Sequence, residues 1–189
     1  MTRKLPLKFT LITLAFFTSF LSVSAQVSLR EISLKEQVEN SSLVIEGKVV
    51  AQRTFWDADH RLIYTANTEV SKVFKGDALE TIEVLTQGGI VGLEAILVSH
   101  ALKLGKGSLG VFTLYDSNVN IGSDNKTQFK QFKTYSVIQG FYKYDLQSDL
   151  TTNTFRHRKG ITSSFYNDIV KITKKDYKQI SSFDVKKQQ

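Results

Sequence analysis

SLVIEGKVVAQRTFWDADHRLIYTANTEVSKVFKGDALETIEVLTQGG, residues 42–89, holds three runs rich in β-branched and aromatic residues, separated by two polar turns. LVIEGKVVAQ is dense in β-branched side chains, and Gly47 within it marks a bend or bulge, so a first strand is expected over about 43–54. The segment from Trp56 to Arg61, WDADHR, is polar and turn-forming; LIYTANTEVSKVF then alternates with a period of two, which predicts a long strand over about 62–74. Lys75-Gly76-Asp77 supplies a turn whose glycine accepts a positive φ, and TIEVLTQ alternates again over about 81–87.

Upstream, Ser33-Leu34-Lys35-Glu36 fits a capping box, and a short helix with Leu34 and Val38 on one face follows it. Downstream, further strands are expected at about 93–99, at Ser108–Tyr115 and at Thr134–Asp145, with the polar loop DSNVNIGSDNKTQ between the last two. The period changes in the tail: Phe165, Ile169 and Ile172 are helically spaced, and Thr173-Lys174-Lys175-Asp176 offers a second cap before Tyr177 and Ile180. The chain therefore reads as mainly β: a small antiparallel OB-like β-barrel of about six strands, with a short N-terminal helix and C-terminal helices.

The N-terminus has the three parts of an export signal in order. Arg3, Lys4 and Lys8 are basic, Phe9–Phe20 is apolar, and Val23-Ser24-Ala25 is a small-residue exit, so cleavage is expected after Ala25. A membrane span needs roughly 20 apolar residues. This run is shorter and is broken by Thr18, Ser19, Ser22 and Ser24. No transmembrane segment is expected after cleavage, and the product is placed in the periplasm, at the cell surface or outside. The chain has no cysteine, which excludes both a lipoprotein anchor and a disulfide framework.

Cleavage removes three basic charges and leaves 164 of the 189 residues, enough for one domain. The organisation expected is a signal peptide over 1–25, a β-barrel domain over 26–150 and a basic helical appendage over 151–189. Residues 26–125 carry 9 Lys/Arg against 13 Asp/Glu, whereas 126–189 carry 13 against 5. The tail lysines and arginines suit either an anionic glycan or outer-leaflet lipid, or a solvated face docked on the acidic barrel, and the second is favoured.

No catalytic set accompanies this frame. Asp57, Asp59 and His60 put two carboxylates and an imidazole within four residues, the low-grade beginning of a cation site, and a polar hairpin tip is the preferred reading. His60, His100 and His157 show no metal spacing and no nucleophile beside them. Gly88–Gly92 and Gly105–Ser108 match no nucleotide fingerprint and read as tight turns. Glu46, Glu69, Glu83 and Glu94 are potential acid/base groups, but alternation puts most of them on the solvent face of a sheet. Phe129, Phe132, Tyr135, Phe141, Tyr142 and Tyr144, interleaved with Lys126, Lys130, Lys133 and Lys143, superficially match single-strand nucleic-acid binding. Export argues against that partner, and core or cross-strand packing is preferred. No cofactor is expected.

The order of motifs LVIEGKVV, W-D, IYT, VSKVFKG, IEVLTQGG and LGKGSLGVFTLY resembles the N-terminal β-domain of secreted multidomain proteins from Gram-negative bacteria with type IX secretion. The likeness covers about residues 30–180. It implies a domain that precedes Ig-like modules, sometimes a metzincin-like protease, and a C-terminal sorting domain. The V-x-K-V-F-K-G turn is more faintly similar to the netrin-like OB barrels of tissue inhibitors of metalloproteinases. Those inhibitors chelate zinc through an N-terminal cysteine, which the expected Gln26 start does not supply. The function expected is an exported, non-catalytic accessory or binding module for envelope glycan or a secreted protein. The alternatives are the N-terminal non-catalytic part of a secreted metalloprotease, whose H-E-x-x-H segment would lie beyond Gln189, and a netrin-like inhibitor.

Overall fold

In the computed structural model, residues 29–122, 124 and 127–188 are described; the expected signal segment and its exit at Ala25 lie outside them. Residues 31–189 form one unit. It opens with helix α1, Leu34–Asn40, whose start follows the cap chemistry: the Ser33 hydroxyl accepts a hydrogen bond from the Glu36 N–H at 3.1 Å. The far end is closed by a cation, because Lys75 Nζ donates to the carbonyls of Val38 and Glu39 at 2.9 and 2.7 Å.

Strand β1, Leu43–Trp56, pairs antiparallel with β2, Leu62–Lys75, from Val44 to Trp56 and with β6, Leu109–Asp116, from Leu43 to Lys48. Serving two partners requires the strand to bend, and its register with β2 shifts at Val44/Ile45, Glu46/Gly47 and Val49/Ala51. The second shift is the irregularity expected at Gly47. β3, Thr81–Gln87, pairs antiparallel with β2 and parallel with β7, Lys130–Thr134; β7 pairs with β6, and β6 returns to β1. The result is a closed five-stranded barrel. Ile45, Val49, Ile82, Val84, Phe112 and Phe132, contributed by four of its strands, lie in the core cluster that fills it.

A hairpin of two three-residue strands, β4, Gly89–Val91, and β5, Glu94–Ile96, leaves the barrel after β3 as a separate sheet. β8, Phe141–Asp145, pairs with β6, and β9, Leu150–Thr152, and β10, His157–Lys159, extend the sheet beyond it. A π-helical turn over Ile161–Phe165 leads into α2, Tyr166–Thr173. Ile161, Phe165, Tyr166 and Ile169 then pack on Val44, Phe74, Val111, Tyr142 and Tyr144, which makes a second core on the outside of the barrel.

Three expectations are corrected. The strand placed at 134–145 is two strands with a turn between them, and Lys130–Thr134, the parallel closing strand, begins before the expected start. The strand at 93–99 shrinks to β5 and pairs outside the barrel. The second tail helix does not form: α2 stops at Lys174, which takes a left-handed φ of 57°, and Lys178–Gln179 adds as β11 to the stretch of β2 that β3 leaves unpaired. Unpaired strand edge is a stronger local demand than the weak helical periodicity of Tyr177 and Ile180.

Candidate functional site

Two buried polar clusters and one exposed apolar hairpin stand out. The first cluster lies under α2. Glu46 is 0% exposed and Lys72 is 1% exposed, and Lys72 Nζ donates to Glu46 Oε1 at 2.8 Å. Ser71 Oγ donates to the same oxygen at 2.6 Å; the Tyr144 hydroxyl donates to Oε2 at 3.1 Å, and the Tyr166 hydroxyl donates to it as well. The Lys72 ammonium also stands over the rings of Tyr166 and Tyr177 at 5.5 and 5.8 Å and lies 3.7 Å from Asp184 Oδ1. Alternation does turn Glu46 out of the barrel, but the outer face here is roofed by α2 and the C-terminal segment, so the solvent-face expectation is corrected for this residue.

The residue types in this cluster resemble an acid/base site, yet the geometry is that of a clamp. A general base must come within hydrogen-bond reach of its substrate. The Glu46 carboxylate is occupied by four donors and has no solvent-facing surface. What the cluster does is tie β1, β2, β8, α2 and the tail together through one carboxylate.

The same burial sets a pH limit. Desolvation, followed by the Glu46 charge, pushes the Tyr144 and Tyr166 hydroxyls well above the ordinary tyrosine range. Burial pushes Tyr142 up to about 12 against the opposing pull of Arg158. These groups hold their protons in the folded state after the unfolded chain has lost them, near pH ~10. Their stabilising contribution is therefore complete below about pH 10 and is lost as pH rises through the folded-state values. We expect a melting temperature that falls steadily above pH ~10, a fall made shallower by Tyr142→Phe, and an ultraviolet difference titration in which the buried tyrosines ionise only with unfolding. Early, reversible ionisation of all seven tyrosines would contradict this account.

The second cluster is on the outer face of β1–β3. Glu83, whose side chain is 1% exposed, accepts from Arg53 Nε at 3.1 Å and from Gln131 Nε2 at 2.8 Å. The Arg53 guanidinium lies 4.6 Å from the Phe55 ring centroid. Glu83 is thus a second correction to the solvent-face reading, since the Arg53 and Gln131 side chains bond its carboxylate; Val119 and Ile121, from the loop after β6, pack on the neighbouring Phe55, Ile63 and Leu85. Glu69 and Glu94 are exposed, as alternation expects.

Asp57, Asp59 and His60 form the β1–β2 turn. Asp57 Oδ1 accepts the N–H groups of Asp59 and Arg61 at 3.0 and 2.7 Å, and Oδ2 accepts Arg61 Nε at 2.9 Å. Burial raises the Asp57 carboxyl, but these bonds from Arg61 and Asp59 outweigh it and hold the group below the ordinary carboxylate range. Asp59 Oδ2 takes the second arm of Arg61 at 2.6 Å, and His60 sits exposed at a left-handed φ of 56°. One arginine therefore closes both carboxylates into a turn. Among the described residues, no three His, Asp or Glu side chains are grouped so as to hold a metal ion. His100 and His157 are exposed.

The aromatic series divides. Phe132, Phe141, Tyr142 and Tyr144 are buried, with Phe141 stacked on Phe112 at 4.3 Å and Tyr142 against Phe165 at 4.9 Å, while Phe129 and Tyr135 are half-buried. In the tail, Arg158 pairs with Asp168 and Arg156 with Glu31, and Lys171, Lys174, Lys175 and Lys178 are exposed.

The hairpin is the feature the sequence reading missed. Ile90 is 66% exposed, Leu93 105%, Ile96 39% and Leu97 88%. Its base is fixed on the barrel, since a Cβ on Gly89, at φ 129°, would lie 2.3 Å from Thr54 Cγ2. Beneath it runs an open groove of about 630 Å³ lined by Ile90, Ile96, Leu97, Val98 and Leu102, with Gln52, His100 and Lys103 at its margins. Leu104 and Leu102 join this loop to the barrel core, and Gln52 Nε2 donates to the Leu104 carbonyl at 2.6 Å. Among the described residues, no helix is long and apolar enough to cross a membrane. No family model matches the chain, and no curated protein matches it.

Proposed function

We propose that this chain is an exported, non-catalytic accessory module built on an OB-like barrel, and that it binds through the β4–β5 hairpin. The barrel type is supported by the strand order β1-β2-β3-β7-β6 with β6 returning to β1 and a single parallel pair, β3 with β7. Export is supported by the basic, apolar and small-residue order of residues 1–25 and by the likeness in motif order to secreted β-domains.

The exposure of Ile90, Leu93, Ile96 and Leu97 within one short hairpin carries the binding reading. Singly exposed apolar residues are ordinary, but a run of them on a projecting element marks an interaction surface. Their combined exposure is that of about three whole aliphatic side chains, and burying each contributes ~1.5–3 kcal/mol. The gross gain of about 4–9 kcal/mol only just exceeds the lower estimates for the cost of association. A reversible contact fits those magnitudes better than a permanent one.

The test is retention on a cell-envelope fraction. The full chain expressed with its leader should be recovered outside the cytoplasm with Gln26 first, and should be retained. The double variant Leu93→Asp/Leu97→Asp should fold within ~0.5 kcal/mol of the parent, as exposed substitutions do, and elute freely. Equal retention of both proteins would remove the hairpin from the reading.

A further inference from the structure

We propose that the β4–β5 hairpin docks the module on an anionic lipid surface, with Leu93 entering the boundary between headgroups and acyl chains and Lys103 and Lys106 meeting headgroup phosphates. This names the partner class for the binding surface above and rests on that reading.

The tip is convex and bare. A Cβ on Gly92 would have nothing within 4 Å, and Leu93 beside it is fully exposed, so no wall of the protein accompanies the tip into a partner. Protein-binding patches carry an apolar centre and a polar rim that hydrogen-bonds across the interface. Within the hairpin itself, Gly88 to Val98, the only charged side chain is Glu94 and there is no Asn, Gln, Ser, Thr or aromatic residue; the polar side chains of the groove, Gln52, Thr86, Gln87, Ser99 and His100, come from outside that segment. A lipid surface asks for apolar side chains and for little directional bonding. The hairpin also pairs part of its own backbone, with Gly89 opposite Ile96, Ile90 opposite Ala95 and Val91 opposite Glu94. Paired N–H and C=O groups lower the penalty of leaving water.

The amount of apolar surface decides how the contact behaves. About three exposed aliphatic side chains hold roughly the hydrocarbon of a single acyl anchor, which binds membranes marginally and reversibly, with a constant of about 10⁴ M⁻¹. A second signal is needed for useful affinity, and residues 88–107 supply one: Lys103 and Lys106 are both exposed, against Glu94 alone. Lys103 borders the same groove as Ile90 and Leu97. One net positive charge near an anionic surface corresponds to about a fivefold gain in binding.

The experiment is cosedimentation of the full mature chain with vesicles of phosphatidylcholine alone and of phosphatidylcholine mixed with phosphatidylglycerol. Weak binding to both is expected, about fivefold tighter to the anionic vesicles. Leu93→Asp should abolish it with no change in melting temperature, Lys103→Glu/Lys106→Glu, which turns the local net charge from +1 to −3, should reverse the preference so that the anionic vesicles bind less than the neutral ones, and Glu94→Gln should strengthen binding to the anionic vesicles. A Leu93→Trp chain should show blue-shifted emission on vesicles. A chain that stays in the supernatant with both vesicles, or a Leu93→Asp variant that pellets like the parent, overturns the lipid assignment. If vesicles fail while envelope retention still depends on Leu93 and Leu97, the partner is an envelope protein or glycan, the lipid assignment falls and the binding-module reading stands. If both fail, both readings fall.

Discussion

Glu46→Ala is expected to cost about 3–5 kcal/mol, the usual effect of removing one member of a buried ion pair, out of a total stability of roughly 5–15 kcal/mol. The loss has an identifiable origin. Lys72, 1% exposed, keeps its ammonium but loses the carboxylate oxygen at 2.8 Å, and Ser71, Tyr144 and Tyr166 lose their acceptor together. Asp184, 3.7 Å from Lys72 Nζ and only partly buried, takes up some of the unpaired charge, which keeps the estimate from rising further. For a domain of this size the fall in melting temperature is roughly 10 °C. The companion variant is Glu46→Leu/Lys72→Met. Replacing both charges by apolar groups removes the unpaired ammonium, so the double variant should be more stable than Glu46→Leu alone, with a coupling of at least about 1 kcal/mol in urea unfolding. Strict additivity of the two single variants would mean that the pair is not a unit and that the clamp account is wrong.

That cluster also shows where sequence pattern stops. Alternation along LVIEGKVV assigns Glu46 to the outside of the barrel, and it is outside. What alternation cannot express is that the outside is covered, because the cover comes from Tyr166 and Asp184, more than a hundred residues away. Glu83 is misplaced because its carboxylate is taken up by the Arg53 and Gln131 side chains, which come from other strands. The first three strands were legible because each is long, patterned and bounded by turn residues. β7 was not, because five residues with only Phe132 and Thr134 buried carry little period, and a parallel pairing leaves no local signature. The hairpin misled in the opposite direction. Leu93, Ala95, Ile96, Leu97 and Val98 fall in the segment expected as a strand over about 93–99, whereas β5 covers only Glu94–Ile96 and Leu93, Ile96 and Leu97 are exposed. The polar turn at Asp57–Arg61 was read from its own residues because it is closed by its own residues, above all Arg61.

Gly110→Ala should be the most damaging single methyl group in the chain. A Cβ at this position would sit 2.0 Å from the carbonyl oxygen of Tyr142 and 3.0 Å from the Cα of Lys143. Overpacking ordinarily costs ~1–3 kcal/mol, and less when a flexible side chain can move aside. Here the obstacle is the backbone of β8, and β6 has nowhere to retreat, since Gly110 faces Gly47 of β1 on its other edge and Leu114–Asp116 are held by β7. Barrel closure and the β8–β10 extension share this strand, so relief on one side is paid on the other. We expect a loss of about 3 kcal/mol or more, read as a lower urea midpoint. Gly105→Ala is the control, because a Cβ there meets only Ser108 Oγ, at 3.8 Å, and no left-handed φ is involved. It should leave stability within ~1 kcal/mol of the parent. If Gly110→Ala behaved like Gly105→Ala, β8 would have to be free to move away from β6. The Phe112–Phe141 stack and the Tyr144 arm of the Glu46 clamp, both of which depend on that pairing, would then have to loosen with it.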